Sequence, residues 1–233
     1  MAIARSKRRW AGAGIAESGP DASPDERTQS DPTSEANRND KRLQSLLDAV
    51  GARYRNCTLN SFRCDAPAQR HAVEQLRQYV DDWADRRRHG HGIMAIGGVG
   101  GGKDHLLIAT ARELIQQHGV TVRWVSGPKL FSGSRANMGA NEEKWIGQYV
   151  YAPLLILSDP LPPRGGLTDH QAATVQLIVD ERYRAQRPTW ATINVADSRE
   201  ADERMGASIV DRLSDGALIV RCNWRSYRKP LAP

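Results

Sequence analysis

Gly97-Gly98-Val99-Gly100-Gly101-Gly102-Lys103-Asp104 is the stretch that decides how the rest of this chain is read. It fits the phosphate-binding loop pattern G-x-x-x-x-G-K-[ST] at every fixed position except the last. Glycines let the backbone curl so that successive N–H groups point at phosphate oxygens, and the lysine reaches the β- and γ-phosphates. The flanks agree. Ile93-Met94-Ala95-Ile96 is an apolar, strand-like run leading into the loop. Leu106, Leu107, Leu114 and Ile115 then recur at helical spacing, with Gly119 as a stop signal. Phosphates bound here would meet a helix N-terminus, where the macrodipole favours negative charge. A nucleoside triphosphate is the expected ligand.

Asp104 is the exception. The usual Ser or Thr hydroxyl at this position ligates Mg²⁺. A carboxylate also ligates Mg²⁺, but it adds negative charge beside the phosphates. Alternatively, Asp104 caps the first turn of the helix. Nucleotide binding tolerates this change better than fast hydrolysis does.

A phosphate-loop ATPase needs a second acidic site on a strand beside the loop, to hold Mg²⁺ and position water. Leu154-Leu155-Ile156-Leu157-Ser158-Asp159 has that form: an apolar strand running into polar residues at its C-terminal end, where open α/β sheets bind ligands. The usual ending is two acidic residues. Here Ser158 takes the first place and Asp159 the second, so one carboxylate is left either to hold metal or to position water.

Further strand candidates are Val120–Val125, Thr189–Val195 and Ala217–Val220, separated by helical segments. One helix is expected over 69–88, with Val73, Leu76, Tyr79, Val80 and Trp83 on its apolar side and Arg86, Arg87 and Arg88 at its end. Another is expected from Thr168 to Ala185, opening on the capping-box pair Thr168 and Gln171. A short amphipathic helix carries Leu43, Leu46, Leu47 and Val50 and closes at Gly51. Strands alternating with helices imply an α/β architecture with a mainly parallel sheet flanked by helices.

The 233 residues have room for one good-sized domain and a tail. Residues 1–40 are rich in Ser, Asp, Glu, Pro, Gly and Arg and poor in large apolar side chains, so a disordered tail is expected there. The segment 41–68 is then a short helix and connector, and 69–233 the nucleotide-binding domain. Net charge is +6; residues 1–40 hold 6 Lys+Arg against 7 Asp+Glu, so the positive excess falls beyond the tail. That suits a nucleic-acid partner and equally suits a merely basic protein. Cys57, Cys64 and Cys222 lack C-x-x-C spacing and are read as reduced thiols. Neither a signal-peptide core nor a membrane-length apolar run is evident, so a cytoplasmic location away from membranes is expected.

The later part of the chain resembles a known family. Arg187-Pro-Thr-Trp-Ala-Thr-Ile-Asn194 is similar to the sensor-1 strand of AAA+ ATPases. Ala201-Asp-Glu-Arg-Met-Gly206, Ile209-Val-Asp-Arg-Leu213 and Cys222-Asn-Trp-Arg-Ser-Tyr-Arg228 resemble, in order, the end of the DnaC/IstB-like helicase-loader and transposition-accessory ATPases. The likeness covers roughly residues 54–229, including Cys57–Phe62, the helix with Gln69, Ala72 and Tyr79, and the loop's continuation Gly-Lys-Asp-His-Leu. It implies a phosphate-loop NTPase core of AAA+ type without a helical lid, using ATP and Mg²⁺.

The resemblance also implies roles. Gly98, Val99, Gly100, Gly101, Gly102, Lys103, Asp104 and His105 would bind the nucleotide, with Arg228 as a sensor-2-like arginine. Lys103, Asp159, Asn194 and Arg212 would serve catalysis, Arg212 as an arginine finger reaching a neighbouring subunit. Asp104 and Asp159 are the metal candidates. Lys129 and Arg135, near Phe131 and Trp145 in the polar segment 127–151, would contact single-stranded DNA; a plain solvated connector is the other reading of that segment. The implied partners are single-stranded DNA, a replicative helicase or else a transposase, and further copies of the chain. The resemblance implies an ATPase, with hydrolysis slowed by the departures at Asp104 and Ser158; an ATP-binding switch with little or no hydrolysis is the alternative.

Overall fold

The computed structural model describes residues 32–228; the expected disorder before residue 32 and the basic group Arg5, Lys7, Arg8 and Arg9 lie outside them. Every residue of β1 (Ile93–Ile96), β3 (Leu154–Ser158) and β4 (Thr189–Ile193) is buried, while β2 (Val122–Ser126) and β5 (Leu218–Arg221) keep exposed or half-exposed positions. Place in the sheet explains the difference. The order is β2-β3-β4-β1-β5 and all pairings are parallel, so the continuous apolar runs lie inside and the mixed ones at the edges. The five strands lie within a few residues of the expected runs.

Alternation along the strands builds two cores. On one face Ile93, Ala95, Leu154, Ile156 and Trp190 pack with α1 (Pro32–Val50), α2 (Pro67–Asp81) and α4 (Lys103–His118). On the other, Met94, Ile96, Leu155, Leu157, Ala191 and Ile193 pack with five helices. These are α5 (Gly127–Ala136), α6 (Glu142–Val150), α7 (Asp169–Arg184), α8 (Ser198–Met205) and α9 (Ala207–Ser214). Each fully buried Leu or Ile contributes about 1.5–3 kcal/mol. That packing fixes the strand ends, and with them the loops that carry polar side chains.

Two expectations need correction. Helix α1 starts at Pro32, so residues 32–40 are helical and do not belong to a tail ending at 40. Leu46, Leu47 and Val50 anchor it in the core, and its polar upper half also has a seat. Arg42 donates to Asn39 at 2.6 Å, and both side chains lie against Gly119, which ends α4 at a φ of 61°. Composition alone could not register that contact. The helix expected over 69–88 is instead two, α2 and α3 (Trp83–His89), with a break at Asp82. Asp82 leaves the helical conformation at a ψ of 7°, capping α2 through its N–H to Gln78 O at 2.9 Å while its carbonyl accepts from Asp85 and Arg86 N–H, at 3.0 and 3.1 Å, to start α3. The turn lets Trp83 bury beside Tyr79. Helix α7 opens as expected, with Thr168 N–H donating to Gln171 Oε1 at 3.0 Å in a capping box.

Candidate nucleotide site

Strand β1 delivers the glycine loop to the C-terminal edge of the sheet, and its neighbours dictate why glycine is needed. A Cβ at Gly97 would collide with the Cys222 carbonyl just beyond β5. Gly102 has a φ of 83°, and a Cβ there would lie 2.7 Å from the Phe62 ring. Two remote segments clamp the loop. From the C-terminal side, Trp224 Nε1 donates to Gly101 O at 2.8 Å and Tyr227 N–H to Gly100 O at 3.0 Å. From the N-terminal side, Phe62 packs edge-on against both His105 and Tyr227. Tyr227 joins the two sides by donating to Arg63 O at 2.7 Å and accepting from Gln69 Nε2 at 2.7 Å.

Lys103, in the first turn of α4, is buried. Its Nζ donates to Gly97 O and Gly98 O, both at 2.9 Å, and to Asn194 Oδ1 at 2.6 Å. Asn194 stands just past β4 and donates from Nδ2 to Asp159 Oδ1. Asp159, just past β3, is held at a φ of 51° by its N–H, which reaches Thr192 O at 3.0 Å and Thr192 Oγ1 at 3.1 Å. Aspartate tolerates this left-handed conformation better than most side chains. Burial lowers the proton affinity of Lys103, with Asp159 and Asp104 pulling the other way. Burial also raises the pKa of Asp159, reinforced by Asp104 and opposed by Lys103 and Asn194. The site is thus a short chain of cation, amide and carboxylate.

Asp104 completes it. Its Oδ1 accepts from Ser158 Oγ at 2.7 Å and from Thr192 Oγ1 at 3.0 Å. Around these groups lies a cavity of about 540 Å³ whose walls include Arg53, Tyr54, Phe62, Tyr227 and Arg228. That volume falls within the range of small-molecule sites.

Most of the residues expected at the nucleotide converge here. Val99, Gly100, Gly102, Lys103, Asp104, His105, Asp159, Asn194 and Arg228 line the cavity. Gly98 borders an adjoining cleft, and the buried Gly101 contributes through its backbone. His105 is partly engaged elsewhere, its Nε2 lying 3.0 Å from Thr58 O and 3.3 Å from Ser61 Oγ. Arg212 does not join them: it borders a separate cavity on the α7–α9 side and pairs with Asp180 at 2.9 Å. Lys129 and Arg135 are exposed on α5, outside the cavity lining.

Several participants escaped the sequence reading. Thr192 is invisible because its partners stand 33 and 88 positions away. Phe62, Trp224 and Tyr227 occurred only within family-like runs, with no role assigned. Arg204 belongs with them: it donates to Pro162 O at 2.6 Å, Gly165 O at 2.9 Å and Asn194 O at 3.3 Å, tying the loop after Asp159 to the end of β4.

The residues present fit a nucleotide with its metal. Among the described residues, no group of three or more His, Cys, Asp or Glu side chains could hold a metal by itself. A nucleotide's Mg²⁺ requires less, since phosphates and water supply most of its ligands and one or two carboxylates the rest. Asp104 and Asp159 supply two. No helix among the described residues is long and apolar enough to cross a membrane.

The replicative helicase loader DnaC of Escherichia coli K12 is 27% identical over 195 residues, covering 80% of this chain and 76% of that protein. A crystal structure of the DnaC helicase loader matches with a TM-score of 0.67 at 22% identity, over 73% of this chain and 99% of that one. The structure of DnaI gives a TM-score of 0.64 at 21% identity, over 80% of this chain and all of that one. The two structural likenesses establish a shared fold. Residues 32–231 match the IstB-like ATP binding proteins, and this chain, with its phosphate loop, parallel sheet and polar strand ends, belongs to that family.

Proposed function

We propose that the protein binds ATP with Mg²⁺, self-associates on single-stranded DNA and loads or regulates a replicative helicase. The observation that carries the reading is the convergence of Lys103, Asp104, Asp159 and Asn194 on one cavity at the C-terminal edge of the sheet. The partner is carried over from the relative named a replicative helicase loader, whose likeness spans most of both chains.

In this reading the loop amides and Lys103 take up the triphosphate, with Lys103 exchanging its carbonyl partners for phosphate oxygens. Mg²⁺ would be held by the phosphates with Asp104 or Asp159, and would neutralise charge that develops during phosphoryl transfer. Asp159 and Asn194 orient the attacking water, and Arg228 faces the same cavity. Arg212 acts on a neighbouring copy's nucleotide, so assembly must release it from Asp180. Lys129 and Arg135 contribute to the DNA-contacting surface.

A second reading, an ATP-binding switch with little turnover, is favoured by the interlocked Lys103–Asn194–Asp159 chain and by Ser158 in an acidic position. ATP turnover with Mg²⁺, with and without single-stranded DNA, separates the two, with Lys103→Ala as the blank. Turnover that rises with DNA and vanishes in the variant is expected. Binding without turnover hands the site to the switch reading, and absence of ATP binding overturns both.

A further inference from the structure

The two departures from the phosphate-loop pattern touch each other. Asp104 stands where a hydroxyl usually ligates Mg²⁺, and Ser158 stands where the strand usually offers its first carboxylate. In the fold, Ser158 Oγ donates to Asp104 Oδ1 at 2.7 Å. Hydroxyl and carboxylate are therefore both present and in contact, with their places on α4 and β3 exchanged. Ser158 is only 4% exposed, so its hydroxyl depends on this partner. Thr192 on β4 donates to the same Oδ1 at 3.0 Å, and among the described residues no hydrogen bond is made to Oδ2.

We infer that Asp104 and Ser158 are a reciprocal exchange in which Asp104 is the direct protein ligand of the nucleotide's Mg²⁺ and Ser158, with Thr192, positions it. The inference rests on the nucleotide-binding reading above. Charge explains why both departures occur together. A carboxylate at 104 facing a carboxylate at 158 would put two like charges within hydrogen-bond distance, and one of them would resist ionisation. Hydroxyls at both positions would leave the pair with no charge for the metal. The exchange keeps one carboxylate in the pair, moved from the strand to the first turn of α4. Two hydroxyl donors on one carboxylate oxygen fix the orientation of the other, which is how outer partners orient a metal ligand.

The test is equilibrium binding of a fluorescent ATP analogue to the full chain, with Mg²⁺ and without, in four proteins: wild type, Asp104→Thr, Ser158→Asp, and the double substitution. Each single change is expected to cost about 10- to 100-fold of the Mg²⁺-dependent affinity. The double substitution restores it to within about threefold, a coupling that independent sites would not produce. Thermal melting without nucleotide or metal gives a second readout: Ser158→Asp lowers the midpoint and the double substitution recovers it. A double substitution no better than the worse single one overturns the exchange. Full Mg²⁺-dependent affinity in Asp104→Thr reduces Asp104 to a helix-capping residue. If wild type binds the analogue equally with and without Mg²⁺, the ligand assignment fails while nucleotide binding stands; if it binds none, both readings fall.

Discussion

Lys103 and Arg182 are both buried cations, and among the described residues neither forms an ion pair. They sit by opposite ends of the interior strands: Lys103 past the C-terminal ends of β1 and β4, Arg182 by the N-terminal ends of β3 and β4. Arg182, near the end of α7, is fully buried. Its guanidinium donates to Thr189 Oγ1 at 2.8 Å, to Tyr149 O at 2.8 Å, Val150 O at 3.1 Å and Ala152 O at 2.7 Å, and to Pro188 O at 2.6 Å. Those acceptors belong to the end of α6 and the approaches to β3 and β4, so one side chain pins three segments. Burial, with nearby Arg187, brings its pKa down to about 9. Lys103 also holds carbonyls, but it borders an open cavity and shares its third contact with a side-chain amide that itself leans on Asp159. A buried cation is structural when main-chain acceptors close its cage. It is a ligand-binding group when the cage opens onto space that an anion can fill.

The largest effect expected from this contrast is on stability. Arg182→Ala strands several buried carbonyls and should cost about 4 kcal/mol in urea unfolding, since each unsatisfied acceptor is expensive. Nucleotide affinity of the folded fraction should be unchanged, and a loss under about 1 kcal/mol would erase the structural half of the contrast. Lys103→Ala should do the reverse. ATP affinity should fall by at least about 100-fold, roughly 2.7 kcal/mol, while stability without nucleotide shifts by no more than about 1 kcal/mol. Burial already lowers this lysine's proton affinity, so folding gains little from its charge.

The smallest effect sharpens the picture of the polar edge. Asp159 carries a raised pKa through burial and the neighbouring Asp104, so the folded state holds its proton more tightly than the unfolded one. Its contribution to stability therefore falls as pH rises from the ordinary carboxyl range through its raised value. Asp159→Asn should raise the nucleotide-free unfolding free energy near neutral pH by less than about 1 kcal/mol, because solvent screens this partly exposed group, and flatten that acidic-side slope. Equal stability and an unchanged pH profile would mean that the two carboxylates do not strain one another in the nucleotide-free protein.

Legibility followed sequence distance. The glycine loop, its strand and its helix form one contiguous run, and the capping pair Thr168 and Gln171 is three residues apart; each was readable where it stood. The strand end at Ser158 and Asp159 was readable because burial forces a continuous apolar run that must stop where polar chemistry starts. The start of α1 was not, because Asn39 and Arg42 gain their contact only when Gly119 arrives from another part of the chain. Arg182 lay unmarked inside a helix, since its acceptors are main-chain carbonyls, which no residue code advertises.

By itself, then, the order of residues determined a parallel α/β phosphate-loop fold, the loop's lysine and the places of its two departures, since periodicity and spacing are local properties. Only the tertiary structure decided that Asp104 and Ser158, 54 positions apart, share a 2.7 Å hydrogen bond. It also decided that Trp224, Tyr227 and Phe62 clamp the loop, and that Arg212 stands away from this chain's own cavity. The reason is physical: a hydrogen bond is set by the meeting of two groups in space, and that meeting is fixed by how the sheet and both cores pack.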